Sequence, residues 1–279
     1  MAETDFEIVK SSGDKVKFSL DKLRASLKKT GADNKTINQI LNVVRDELYQ
    51  GISTKEIYKR AFALLKKKKP VFASKYKLKK AIYELGPTGF PFERFVSAIL
   101  KYSGFEVEVG KIVNGNCVFH EIDVLAKKND EFFLVECKFH NEEGRNCNVK
   151  IPLYIHSRYM DVKQKWNSNP LKKPLTNAWV VTNTRFTADA IQYGNCVGLH
   201  LLSWDYPLEN ALKDKIDRIG LYPITVSTML TANEKQFLLD KNIVLCRQLL
   251  DESFMLDHLG VSEARKEKIM KEIIQLCNL

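Results

Sequence analysis

The stretch "FHEIDVLAKKNDEFFLVECKFH", residues 119–140, decides how the middle of the chain is read. Asn129 and Asp130 are residue types that tolerate the positive φ of a two-residue hairpin turn, so the stretch predicts two antiparallel strands. In that register Asp123 faces Glu136, Glu121 faces Lys138 and Leu125 faces Leu134 on one side of the ribbon. The other side pairs Ile122 with Cys137, Val124 with Val135 and Ala126 with Phe133, and is apolar throughout. Charge is therefore confined to one end of one face, away from the turn.

Opposed carboxylates about 5 Å apart repel by roughly 3 kcal/mol at an effective dielectric of about 20, so Asp123 and Glu136 require a counter-charge. Two arrangements supply one. The first is a cross-strand ion cluster with Lys138 and Glu121. The second is a divalent cation held by Asp123 and Glu136, with Lys138 placed to act on a water. His140 and Glu121 share the predicted face, whereas His120 points to the other. Neither histidine belongs to the three or four nitrogen or sulfur donors that zinc requires.

Outward from this hairpin, the net charge of +10 is unevenly spread. Residues 1–88 hold 20 Lys and Arg against 10 Asp and Glu, and residues 89–279 hold 24 of each. Residues 145–185 carry eight bases and a single acid, Asp161. Such a patch suits a polyanion, because neutralising phosphates releases condensed counterions. The six cysteines form no CxxC pair, and no apolar run approaches the roughly 20 residues needed to cross a bilayer. The start, "MAETDFEIVK", has neither a basic region nor an apolar signal core. The composition predicts a reduced, cytoplasmic protein with no membrane span.

Hydrophobic periodicity divides the chain into three: residues 1–88, 89–206 and 207–279. The first segment opens with "DFEIVK" and "VKFS" around "SSGD", a small hairpin. Helices follow on Leu20–Leu27, on Ile37–Leu48, after "STKE" (a capping box of Ser53 and Glu56), and from about Val71 to Gly86. "PTGFP" (87–91) ends the pattern. The second segment alternates helix, strands, helix, strand, helix and strand, which suits a mixed sheet flanked by helices. The third is helical, with Leu249, Leu250, Leu256, Leu259, Ile269 and Ile273 as its core and Gly260 between two helical runs. The expected fold class is thus α+β and multidomain.

Ile122-Asp123, then Glu136-Cys137-Lys138, with Glu93 in a preceding helix, resemble the PD-(D/E)xK nuclease core, in particular the Mrr-like restriction endonuclease domain. "AWVVTNTRFTADAIQYGNCVGLHLL" resembles that family's later strand, helix and strand. Ile122 stands where proline is often found. The resemblance implies that Asp123 and Glu136 bind Mg2+ or Mn2+, that Lys138 serves the attacking water, and that Glu93 completes the site. The implied reaction is hydrolysis of DNA phosphodiesters, with the Arg145–Arg185 stretch along the nucleic-acid backbone.

"EIVKSSGDKVKFSLDKLRASLKKTGAD" and the helices after it resemble an ATP-cone, with Val9, Lys10, Gly13, Val16, Phe18, Lys22 and Leu23 as matching positions. Ser11 stands where the family usually has arginine. The resemblance implies that ATP or dATP binds as an effector through Val9, Lys10 and Lys22. "DHLGVSEARKEKI" in the third segment resembles a helix-hairpin-helix, and packing or dimerisation accounts for it equally well. These resemblances together imply a nucleotide-regulated, homo-oligomeric defence nuclease. The alternative is a nucleotide-responsive regulator that binds DNA without cutting it.

Overall fold

Ser19, Asp33 and Ser53 each lie in extended backbone and accept an N–H from three residues further on, which starts three helices where the apolar spacing predicts them. The structure is a computed structural model describing residues 6–10 and 13–277. Ser11, with its implied bearing on nucleotide binding, lies outside the described residues. Strands β1 (Glu7–Val9) and β2 (Lys15–Lys17) form the predicted antiparallel hairpin. Then come α1 (Leu20–Lys28), α2 (Asn34–Asp46), α3 (Thr54–Lys68), α4 (Pro70–Tyr76) and α5 (Leu78–Tyr83). The helix expected over 71–86 is thus interrupted at Lys77. Only half of the expected capping box forms: Ser53 accepts the Glu56 N–H, but the Glu56 carboxylate turns to the Tyr49 hydroxyl and to Arg60 instead. Leu27, Ile37, Val44 and Leu65 are among the fully buried residues of this part's core.

The central part runs α6 (Phe90–Tyr102), β3 (Glu106–Asn114), β4 (Phe119–Lys128), β5 (Glu131–Lys138), β6 (Asn146–Cys147), α7 (Lys150–Asn167), β7 (Leu175–Thr182), β8 (Arg185–Phe186), α8 (Ala188–Cys196) and β9 (His200–Leu202). Asn129 and Asp130 take φ of 52° and 62°, both left-handed, as the turn between β4 and β5 demands. The main sheet has the order β3-β4-β5-β7-β9: the first three strands are antiparallel, and β5, β7 and β9 run parallel. Side chains alternate between its faces. Val135, Val181 and Leu202 pack toward α6, while Leu134, Val180 and Leu201 pack toward α7 and α8.

The last part holds α9 (Leu212–Ile219), a 3-10 turn (Ile224–Val226), α10 (Ala232–Asp240), α11 (Cys246–Asp251), α12 (Met255–His258) and α13 (Glu263–Cys277). Leu249, Leu256, Ile269 and Ile273 are buried as expected, with Leu250 and Leu259 at the edge. This core is not separate, because it is continuous with α5, α6 and the α6-side face of the sheet. Glu272, 3% exposed, ties α13 to the rest: it accepts from Ser74, Ser227 and the Thr228 hydroxyl and N–H. No helix among the described residues is long and apolar enough to cross a membrane.

Candidate functional site

The site lies where β5 and β7 end, at the carboxyl edge of the parallel half of the sheet, a common place for ligands in α/β folds. The β4–β5 ladder follows the predicted register from Val124–Val135 to Lys128–Glu131 and stops there. The expected pairs Asp123–Glu136 and Ile122–Cys137 do not form. Instead an Asp123 carboxylate oxygen accepts the Cys137 N–H at 2.7 Å, and Glu136 pairs with Val180 of β7. Ile122 also leaves the apolar face expected for it: it packs with Leu125 and Leu134, while Val124 and Ala126 pack on the opposite side. The alternation breaks between residues 122 and 124 because a side chain has replaced a backbone partner in the ladder.

Three carboxylates interact at this break. Glu136 is 6% exposed. Burial first, and then the charge of Asp123, pushes its carboxyl up to about 8, against the pull of Arg158. Burial likewise raises Asp123, opposed by the Cys137 N–H and by Arg158. Glu93, in the first turn of α6, is pushed up to about 7 by burial and then by Asp123 and Glu121. Gly86 and the packing of Phe139 bring that turn in: a Cβ on Gly86 would meet the Phe139 ring at 2.9 Å, and Phe139 packs against Phe92 of α6 at 5.5 Å between ring centres.

The counter-charge is Arg158, whose guanidinium donates to Glu136 Oε2 at 2.6 Å. It comes from α7, across the sheet face from the hairpin. Glu136 Oε1 is buried and has no hydrogen-bond partner. Lys138, two residues beyond Glu136, is exposed, and its carbonyl accepts from the Thr182 hydroxyl. His140 is clamped by backbone: its N–H and C=O both bond the fully buried Asn183, and its Nδ1 lies 3.2 Å from the Thr184 hydroxyl. Burial, with Lys138 and Arg145, holds its pKa below the usual value. His120 is structural, with Nε2 lying 2.7 Å from Asp161 Oδ2. Asp161 also accepts the Cys117 N–H at 2.8 Å, fixing the β3–β4 loop.

A divalent cation is implied by the nuclease resemblance, and these residues fit one. A buried carboxylate oxygen with no donor, beside a second carboxylate raised by burial, is a site short of positive charge. Among the described residues no cluster of three or more His, Cys, Asp or Glu is arranged to hold a metal. Mg2+ does not need such a cluster, because it keeps several waters and takes one or two carboxylates. Asp123 and Glu136 are the residues that would hold it.

The other predicted residues separate. Lys10 and Lys22 line one cleft of about 280 Å³ with Lys17, Tyr58 and Tyr76. Val9 does not line it; its N–H bonds the Ile52 carbonyl at 3.1 Å and serves the scaffold. The basic stretch divides as well. Arg158 enters the carboxylate site, and Arg145 and Arg185 pair with Glu142 and Asp205. Lys165, Lys172 and Lys173 line a cleft of about 990 Å³ with Lys111, Lys127 and Trp166, near the hairpin turn. None of Glu93, Asp123, Glu136 or Lys138 borders that cleft. Asp130, on its wall, is six residues from Glu136, roughly 20 Å of strand.

Arg158 and Asn183 escape the sequence reading. Arg158 carried only the general signal of a basic stretch, and Asn183 none. Asp161, the lone acid among eight bases, was the visible clue to a fixed pairing.

The described fold is a mixed α/β protein with a central sheet and a helical C-terminal region. An ATP-cone model matches residues 6–84, so the chain carries an ATP-cone. A second model, described as AF1548-like, C-terminal, matches residues 222–277. An uncharacterized protein of Archaeoglobus fulgidus is 32% identical over 178 residues, 63% of this chain and 97% of the relative. The chain belongs to the AF1548-like family. The crystal structure of protein AF1548, of unknown function, matches with TM-score 0.56 at 30% identity, over 68% of this chain and 98% of that one. The MspJI restriction endonuclease, in complex with a 27-mer oligonucleotide, matches with TM-score 0.36 at 11% identity, over 61% of this chain and 36% of that one.

Proposed function

We propose that this protein is a metal-dependent endonuclease that hydrolyses DNA phosphodiester bonds under the control of ATP or dATP bound at the cone. In this reading residues 1–88 regulate, residues 89–206 cut, and residues 207–279 form a helical unit continuous with the core of the nuclease. The observation that carries it is the Glu136 oxygen, buried and without a donor, beside Asp123 and Glu93 at the ends of the strands. Asp123 and Glu136 would hold Mg2+ or Mn2+, which supplies charge stabilisation to the phosphoryl oxygens as they become more negative. Glu93, titrating near 7, is suited to take a proton from a water at neutral pH. Lys138, exposed on the same strand, orients that water and contacts the scissile phosphate. The basic cleft near the hairpin turn gives DNA a backbone contact away from the chemistry.

The test is to incubate the protein with supercoiled and linear DNA, with and without Mg2+ or Mn2+ and ATP or dATP, beside Asp123→Ala and Lys138→Ala. Metal-dependent nicking by the unaltered protein, lost in both variants, is the expected result. DNA binding by all three without cleavage under any condition would refute it. A second reading, a non-cleaving nucleotide-responsive DNA-binding regulator in a homo-oligomer, is favoured by one observation: Arg158 already engages Glu136, so the carboxylate is partly neutralised without a metal.

A further inference from the structure

A cleft of about 360 Å³ opens between α3 and the segment that follows the 3-10 turn, and neither the carboxylate site nor the Lys10–Lys22 cleft accounts for it. Lys59 and Lys66 reach it from α3, Lys77 and Lys80 from the α4–α5 stretch, and Lys235 from α10. Two acids oppose them: Glu84 lies 2.6 Å from Lys77 and 3.9 Å from Lys80, and the charge of Glu272 acts on Lys235. Lys59, Lys66 and Lys235 join no ion pair among the described residues. Burial, together with the charge of Lys77, pulls the Lys235 ammonium down to about 8. The cations therefore sit close enough to disfavour one another. Tyr58 and Phe62 form an apolar wall, and the Tyr58 hydroxyl is buried without a partner.

Five ammonium groups from three chain segments around one cleft focus a positive field that draws anions to it. A ligand that meets α3 and α10 together must carry anionic groups along its length. A chain of linked phosphates can reach both, presenting several charged oxygens to donors that are rotatable and strongly hydrated. We propose that this lysine-lined cleft binds an oligophosphate chain, and that the ligand ties α3 of the cone to the C-terminal region. The chain can come free or as the tail of a nucleotide; the recognising chemistry is the same. This does not rest on the nuclease reading, since no carboxylate of that site takes part.

Calorimetry on the full chain, without metal, tests it with tripolyphosphate, ATP and orthophosphate. The variants are Lys66→Gln/Lys235→Gln for this cleft and Lys10→Ala/Lys22→Ala for the other. Tripolyphosphate should bind the unaltered protein and raise its Tm, and the Lys66/Lys235 variant should lose at least about tenfold in affinity, which is about 1.4 kcal/mol. The Lys10/Lys22 variant should keep that affinity. If ATP loses equally in the Lys66/Lys235 variant, the nucleotide tail is a source of the chain; if ATP is unaffected, the free chain is the ligand. Absence of tripolyphosphate binding, a smaller loss in the Lys66/Lys235 variant, or loss in the Lys10/Lys22 variant instead, overturns the proposal. Circular dichroism matching the unaltered protein shows that a loss is not unfolding.

Discussion

Glu136→Gln should make the protein more stable at neutral pH. The carboxyl titrates near 8 in the folded chain and at 4.5 when free. A folded pKa raised in this way means that, between those values, the folded state must hold a proton that the unfolded chain releases. Stability is therefore full below about 4.5 and declines as pH rises toward 8. At pH 7 the linkage favours the unfolded chain by about 3 kcal/mol, and at pH 4.5 by a few tenths. The attraction of Arg158 is already contained in that titration, since it is among the causes that set it. Glutamine has the same shape, releases no proton and can still accept from Arg158. Urea unfolding of both proteins at pH 7 and pH 4.5 measures the difference. The variant should gain about 2–3 kcal/mol at pH 7 and almost nothing at pH 4.5. With millimolar Mg2+ the unaltered protein should close the gap, because a cation that binds only the folded state adds its binding free energy to stability. A variant less stable than the unaltered protein at pH 7 would show that the Arg158 pair stabilises the fold, and would refute the account of a site lacking positive charge.

Arg158→Ala removes the guanidinium that donates to Glu136 and should cost about 1–3 kcal/mol, as leaving a buried acceptor unsatisfied does, with part of the loss restored by Mg2+ in thermal unfolding. Asp161→Asn should lower Tm at pH 7 through the β3–β4 loop, while leaving Mg2+ stabilisation intact. Its carboxyl is held down at about 2 by His120 and the loop N–H groups, so the stability it adds is present above its free value of 3.8 and lost as pH falls toward 2. A Tm difference that persists undiminished at pH 2 would contradict this. Glu272→Ala leaves the hydroxyls of Ser74, Ser227 and Thr228 without their acceptor and should cost about 3–5 kcal/mol by urea unfolding, with α4 the first segment to exchange amide hydrogens.

What is legible in the sequence is what local chemistry decides. The turn at Asn129-Asp130, the cap at Ser53 and the ladder from Val124 to Glu131 each depend on residues close in the chain. The ladder fails at Asp123 for a reason periodicity cannot carry: a carboxylate that accepts the Cys137 N–H serves the backbone as well as another strand would, so alternation has no hold beyond it. Glu136 is then left to β7, a partner more than 40 residues on. Arg158 is further out of reach, since its choice of Glu136 over any other acid follows from how α7 lies on the sheet. The continuity of the C-terminal helices with α6 is illegible for the same reason, because an apolar spacing of three and four states that a face is buried and not against what.

In the proposed reading a metal ion would compete with Arg158 for the same carboxylate, Glu136. The guanidinium holds Oε2 at 2.6 Å and leaves Oε1 buried without a partner. Arginine neutralises one charge where three carboxylates meet, and both Glu136 and Glu93 remain near or above neutrality in their titration. One guanidinium is therefore insufficient at pH 7, and protons make up the rest. A divalent ion would displace those protons, so metal binding here must release protons, and must tighten as pH rises from 6 to 8. The alternative, a cluster of these carboxylates with Lys138 and Glu121 that takes up no metal, has no such dependence, because no cation arrives to displace the protons.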